Sequence, residues 1–280
     1  MSKHITSNLL NQFTKYLKDE ERESSTIAKY LHDVKTFANW LQDREINKEN
    51  LTAYKEYLIK KKYNPKTVNG ILSAINKFLV FSGLADLKVK YLRIQRQLFR
   101  NSNRELTQAE YMKLLNKAQE LGKERLNLIM QTICATGIRV SELKYITIEA
   151  VKKGRAEISL KGKIRTILLT GKLCKKLLKY AKRQKITSGE IFITRSGRGL
   201  GRKQIWAEMK ALCKNAGVAA GKVFPHNLRH LFARTFYKVC KDVAKLADVL
   251  GHSSIETTRI YLISTGAEHL QTLNKLRLLN

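Results

Sequence analysis

Apolar residues recur at helical spacing along most of the first 83 positions, and the pattern divides that stretch into four helices. "SNLLNQFTKYLKDE" and "SSTIAKYLHDVKTFANWLQDR" are the first two. In the second, Ile27, Tyr30, Leu31, Val34, Phe37 and Leu41 make one stripe, with Ser24 or Ser25 placed to cap its start. "NKENLTAYKEYLIKKK" predicts a third. "NPKTVNGILSAINKFLVFSG" predicts a fourth, with Pro65 in the first turn and Gly83 just past the end.

The pattern breaks between Leu84 and Asn103. The stretch "LKVKYLRIQRQLFRNSNR" is basic, holds no acid after Asp86, and predicts an interdomain linker able to follow a phosphate backbone. A second domain opens at "ELTQAEYMKLL", where Thr107 and Glu110 have the spacing of a capping box. It is mostly helical with one β insertion. "RAEISLKGKIRTILLT" alternates apolar and polar residues on both sides of a Lys-Gly-Lys turn, which predicts a hairpin. "YITIEAV" predicts a third short strand. Helices resume at "GRKQIWAEMKALCKNAG", "PHNLRHLFARTFYKV", "CKDVAKLADVLG" and "SIETTRIYLI", the last opening with a capping box between Ser253 and Glu256. The tail "AEHLQTLNKLRLLN" is amphipathic. Its Leu270, Leu273, Leu276, Leu278 and Leu279 exceed what a lone terminus needs, which predicts docking on a partner. The expected fold is mainly α with a small antiparallel β-sheet in the C-terminal domain. Its division is 1–83, a basic linker at 84–103, and 104–280.

Charge sharpens this picture. The net charge of +31 is unevenly placed: residues 1–90 hold 16 Lys and Arg against 10 Asp and Glu, and residues 91–280 hold 38 against 13. So strong and lopsided a field predicts a polyanionic partner, nucleic acid ahead of membrane. Cys134, Cys174, Cys213 and Cys240 form no CxxC pair, so they suggest neither a zinc site nor a disulfide framework and read as buried thiols in a reducing cytoplasm. The N-terminus lacks the apolar stretch of a signal peptide, and no apolar run approaches bilayer length; a cytoplasmic protein is expected.

Four motifs carry candidate chemistry. "ATGIRVSEL" sets Arg139 near a helix start, with Glu142 three residues on and able to hold the guanidinium. Lys161 stands at the hairpin tip, where an ammonium could reach a leaving oxygen if a phosphate lay beneath. "PHNLRH" opens a helix whose stripe is Leu228, Leu231, Phe232 and Val239. His226 falls nearly opposite that stripe and Arg229 near its border, both beside a helix N-terminus that favours anions. In "LGHSSIETTRIYL", His252 precedes a helix on which Tyr261 leans back toward it. Taken singly, each has a plainer reading: a surface arginine, a solvated turn lysine, a capped basic helix, a packed tyrosine. Together they supply a nucleophile, neutralisation of crowded phosphate oxygens and a proton for a leaving alkoxide. No carboxylate or Cys/His cluster offers a metal site, and no cofactor is expected.

The series "ATGIRVSEL", "LKGKIRTILL", "PHNLRH" and "LGHSSIETTRIYL" resembles, in order and spacing, the motifs of the tyrosine recombinases, the phage-integrase and Xer-like family. The likeness covers essentially the whole chain, the first four helices resembling that family's core-binding domain. It implies that Arg139 and Arg229 clamp the scissile phosphate with His252. It further implies that Lys161 is the general acid, that His226 assists proton transfer, that Glu142 orients the site, and that Tyr261 attacks to give a 3′-phosphotyrosyl link. The hairpin turn is about one residue shorter than is usual there, so Lys163 competes with Lys161, which is favoured because it precedes the glycine. The resemblance also implies a C-shaped clamp on double-stranded DNA with inverted-repeat core sites. It implies a homotetramer on two sites, a four-way junction, accessory or directionality proteins, and a nucleoid-associated location. Integration, excision or resolution of a mobile element is the expected role. The rivals are a type IB topoisomerase, which would relax any plasmid, and a non-catalytic DNA-binding regulator, which would form no covalent adduct.

Overall fold

A computed structural model describes residues 5–95, 102–160, 163–194, 196–263 and 266–276. The chain divides into two compact units, residues 1–96 and 97–280. The first holds α1 (Ser7–Asp19), α2 (Ser24–Leu41), α3 (Lys48–Lys60) and α4 (Pro65–Phe81). Thr6, Asn47 and Asn64 cap α1, α3 and α4 with side-chain oxygens, and Pro65 stands in the first turn of α4. In α2 the chain becomes helical one residue before the expected serine cap. Glu23 occupies the N-cap position, and its carbonyl accepts the first amides, so Ser24 and Ser25 lie inside the helix. Phe13, Val34, Phe37, Tyr54, Leu72 and Phe78 fill the centre of this unit.

The segment read as a linker begins later than its composition suggests. Val89 is buried, and its backbone exchanges two hydrogen bonds with the Asn76 amide, at 2.9 and 3.0 Å. Asn69 does the same for Leu92, at 2.8 and 2.9 Å. Two asparagines seven positions apart share one face of α4. They present donor and acceptor as a neighbouring strand would, so residues 88–92 lie along the helix and belong with the first unit.

The second unit opens with α5 (Gln108–Glu120), whose capping box between Thr107 and Glu110 is complete, and α6 (Glu124–Thr136). A 3₁₀ segment (Val140–Tyr145) and α7 (Ile148–Lys152) lead to β1 (Arg155–Leu160) and β2 (Lys163–Leu168). The strands pair antiparallel, Arg155 opposite Leu168 and Leu160 opposite Lys163. The third strand expected at "YITIEAV" is absent among the described residues. Thr147 makes a single bridge to Glu190, and its side chain then caps α7, so the chain turns helical. Next come α8 (Gly171–Arg183), α9 (Arg202–Ala216), α10 (Pro225–Cys240), α11 (Val243–Leu250), α12 (Ile255–Arg259) and α13 (Gly266–Lys275). The periodicity reading singles out neither α6 nor α8. The latter buries Leu173, Leu177, Tyr180 and Ala181 and turns a wholly basic face to solvent.

Cys174 and Cys213 are buried as expected, but Cys134 and Cys240 are only half-buried. Leu270 and Leu273 of α13 and Leu276 just after it are exposed, while Leu278 and Leu279 lie outside the described residues. Among the described residues no helix is long and apolar enough to cross a membrane.

Candidate active site

Helix α10 is the spine of the site. Its environment differs from a one-sided amphipathic helix: Val239, assigned to the buried stripe, is exposed, whereas Arg229, placed at the border, is 1% exposed. The reason is that α10 packs on α6 and on α11, so more than one face of its N-terminal half is covered. Arg229 survives there because its donors are matched. Nη1 donates to the Gly137 carbonyl at 2.6 Å, and Nη2 to the Leu250 carbonyl at 2.8 Å and to Nε2 of His252 at 2.9 Å. Burial, and then the charge of Arg139, pushes the guanidinium down to about 10, partly opposed by the adjacent Tyr261 phenol. It therefore stays a cation at neutral pH.

Two glycines make this approach possible. Gly137 ends α6 with φ +67°, and a Cβ there would stand 2.4 Å from Cδ1 of Phe232. Gly251 ends α11 with φ +64°, and the His252 amide reaches back to the Ala247 carbonyl at 3.0 Å. That closing turn delivers His252 to Arg229. Because an arginine can only donate, Nε2 of His252 accepts, and Nδ1 carries the proton and donates to Oγ1 of Thr258 at 2.8 Å. Burial, with the Arg229 and Arg139 charges adding to it, lowers His252 to about 4, which keeps the ring neutral.

Tyr261 follows α12 instead of riding on it. The helix ends at Arg259 and is capped by Ser254, one residue after the expected Ser253. The Tyr261 amide bonds the Thr258 carbonyl at 3.0 Å, so wholly buried Thr258 holds His252 by its hydroxyl and Tyr261 by its backbone. The two rings stack at 6.0 Å with 14° between planes. The tyrosine is 5% exposed and packs with Ala233, Leu246 and Leu250. It is a packed residue and a neighbour of the basic cluster at once.

His226 is exposed, and its ring meets His230 at 4.5 Å; His230 in turn meets Tyr261 at 4.7 Å, edge to face. Burial and the charges around it lower His230 to about 3, and partial desolvation with the Arg229 and Arg139 charges lowers His226 as well. Arg139 begins the 3₁₀ segment with its side chain 42% exposed. Its Nη1 donates to Oε1 of the fully buried Glu142 at 2.8 Å, and its backbone amide to Oε2 at 2.7 Å. Lys161 lies outside the described residues, and Lys163 is described only as backbone in β2.

Three neighbours were not reached as site residues from the sequence: Thr258, His230 and Arg165, which donates to Oε2 of Glu142 at 2.5 Å. Arg165 alone carried a usable signal, since strand alternation sets it on the face of buried Ile167. Among the described residues no group of three or more His, Cys, Asp or Glu side chains could hold a metal ion.

Comparison with known proteins follows the same lines. Residues 104–268 match the Phage integrase family, and residues 10–83 match the Phage integrase N-terminal SAM-like domain. Tyrosine recombinase XerA of Pyrococcus furiosus is 28% identical over 276 residues, covering 96% of this chain and 93% of the relative. TnP I resolvase of Bacillus thuringiensis is 26% identical, covering 97% of this chain and 100% of the relative. In fold, the chain is similar to lambda integrase (75–356) solved as a dimer bound to a COC′ core site, with TM-score 0.74, 18% identity, and coverage of 93% of this chain and 96% of that one. It is likewise similar to XerH recombinase solved with its difH substrate, with TM-score 0.71, 19% identity, and coverage of 96% and 84%. With the tyrosine, the arginines and the histidines gathered on one helical scaffold, the chain belongs to the phage integrase family and is a tyrosine-type site-specific recombinase.

Proposed function

We propose that this chain cuts and rejoins double-stranded DNA through a 3′-phosphotyrosyl intermediate, with Tyr261 as nucleophile. The observation that carries the reading is the packing of the Tyr261 ring against His252 beside a buried Arg229 that donates to three acceptors. The phenol oxygen attacks phosphorus as the bond to the 5′ oxygen breaks, and the 5′ hydroxyl leaves with a proton from Lys161. Arg139 and Arg229 neutralise the non-bridging oxygens, and Glu142 orients Arg139. An entering phosphate competes with Arg229 for Nε2 of His252. For that nitrogen to donate to the phosphate, the ring must gain a proton, which the phosphate's negative charge favours. His226, whose ring meets His230 as His230 meets the Tyr261 ring, takes the phenolic proton in this reading. The phosphotyrosyl bond retains the free energy of the broken linkage, so rejoining needs no ATP.

In this reading residues 1–92 bind the core site, 93–103 connect, and 104–280 carry the chemistry. Four copies act on two inverted-repeat sites through a four-way junction, with the exposed leucines of α13 docking on a neighbouring copy. The likeness to a resolvase supports resolution among the roles of integration, excision or resolution of a mobile element, and in this reading the chain acts in the cytoplasm with the nucleoid. The test uses a duplex nicked near the cut site, so that the cleaved strand diffuses away. A covalent protein–DNA adduct is expected; a chain that binds the duplex and yields none is not a recombinase of this kind.

Two further outcomes follow from the charges. With about 8 phosphates neutralised, log K should fall against log[salt] with a slope of about −7. A slope near zero, measured by titration at several salt concentrations, would leave the charge of residues 91–280 facing solvent. Replacing Lys161 by alanine should slow cleavage by about 10² to 10⁴. Substituting sulfur for the bridging 5′ oxygen, a leaving group that needs no proton, should then restore the rate. Arg139→Ala should stay slow on the same substrate. Rescue of Lys163→Ala alone would reverse the assignment of the two lysines.

A further inference from the structure

One guanidinium of the second unit has no part in the steps above. Arg165 sits in the middle of β2, opposite Ile158, and its side chain is 15% exposed. Nη2 donates to Oε2 of Glu142 at 2.5 Å, and Nη1 to the Val249 carbonyl at 3.0 Å. Gly251 leaves room for it: a Cβ there would stand 2.5 Å from Cδ of Arg165. One side chain thus touches the 3₁₀ segment that presents Arg139 and the end of the helix that presents His252.

The charge balance gives this contact a consequence. Glu142 is completely buried, and Arg139 and Arg165 share its single negative charge. A lone Arg139–Glu142 pair would be neutral overall and would pull weakly on a phosphate. The triad carries one net positive charge, and its exposed member is Arg139. The Val249 bond meanwhile fixes the turn from which His252 reaches Arg229. We propose that Arg165 is a positioning residue for the phosphate clamp, holding Glu142 so that Arg139 keeps its charge and setting His252 against it. This rests on the phosphotyrosyl reading above.

The experiment compares adduct formation on nicked duplexes with three linkages at the cut site. These are the ordinary phosphodiester, a neutral methylphosphonate, and a phosphodiester with sulfur as the bridging 5′ atom. Arg165→Gln should bind duplex as wild type does but form adduct about 10²-fold more slowly on the phosphodiester. The deficit should narrow on the methylphosphonate, where no charge awaits the clamp, as it should for Arg139→Ala. It should persist on the sulfur substrate. Equal loss on all three linkages would reduce Arg165 to fold support, and rescue by sulfur alone would place its action on the leaving group; either overturns the proposal. If Arg165→Gln does not fold, Arg165→Lys, which keeps a cation beside the buried carboxylate, should show the same pattern with a smaller loss. Failure of wild type to form any adduct would remove the phosphotyrosyl reading and this role with it. Normal wild-type cleavage alongside an unimpaired Arg165→Gln would remove this role alone.

Discussion

Tyr261→Phe forms no covalent adduct with a nicked duplex, while its affinity for that duplex stays close to wild type. The phenol oxygen is the only nucleophile in the proposed step, and its removal leaves the ring in place. That ring is 5% exposed, stacks on His252 and packs with Ala233, Leu246 and Leu250, all contacts that phenylalanine retains. Affinity is expected to come mainly from phosphate contacts of lysines and arginines, which the substitution does not touch. The variant does remove the oxygen beside Arg229, so a small change in unfolding temperature is expected. Gel separation of adduct from free protein under denaturing conditions reads the first claim, and a binding titration the second. An adduct of undiminished yield in Tyr261→Phe would move the nucleophile elsewhere.

Arg229→Ala should lose both cleavage and stability, which separates it from every other substitution considered. Its guanidinium satisfies the Gly137 and Leu250 carbonyls and Nε2 of His252, and no water-exposed path replaces these bonds at a site 1% exposed. Each buried polar group left unpaired costs about 1–3 kcal/mol, and the emptied volume adds to that. Loss of one charge-stabilising donor set typically slows the chemical step by about 10² to 10³. Arg229→Lys tells the two effects apart. An ammonium keeps the charge but cannot span three acceptors in a fixed fork, so the fold should recover further than cleavage does. Thermal unfolding together with adduct kinetics checks this. An alanine variant as stable as wild type would mean that the three acceptors find other partners.

Legibility in the sequence varied with the range of the interaction. The four N-terminal helices, the Thr107–Glu110 capping box and the antiparallel hairpin depend on neighbours a few residues apart, and period and cap residues display them. The order of the four motifs also lies in the sequence, so the family and the type of chemistry could be named from it. The expected serine caps were displaced by one residue, because any of several adjacent residues can supply the first carbonyl of a helix. The third strand gave way to α7 once Thr147 spent its oxygen on a cap, an outcome that β-propensity alone does not decide.

By itself, the sequence determined that this chain has two helical units, a small hairpin, a strongly basic second half and one set of residue types suited to phosphoryl transfer. Only the tertiary structure decided which of those residues meet. Arg229 is buried because α10 is covered by both α6 and α11, which a single helical wheel cannot represent. His252 and Tyr261 come together through Thr258, whose hydroxyl and carbonyl serve two different chain segments. Arg165 reaches Glu142 across 23 positions of sequence, and Asn69 and Asn76 bind the outgoing chain across 23 and 13. Such contacts are set by the packing of distant surfaces, and no local period or propensity encodes their partners.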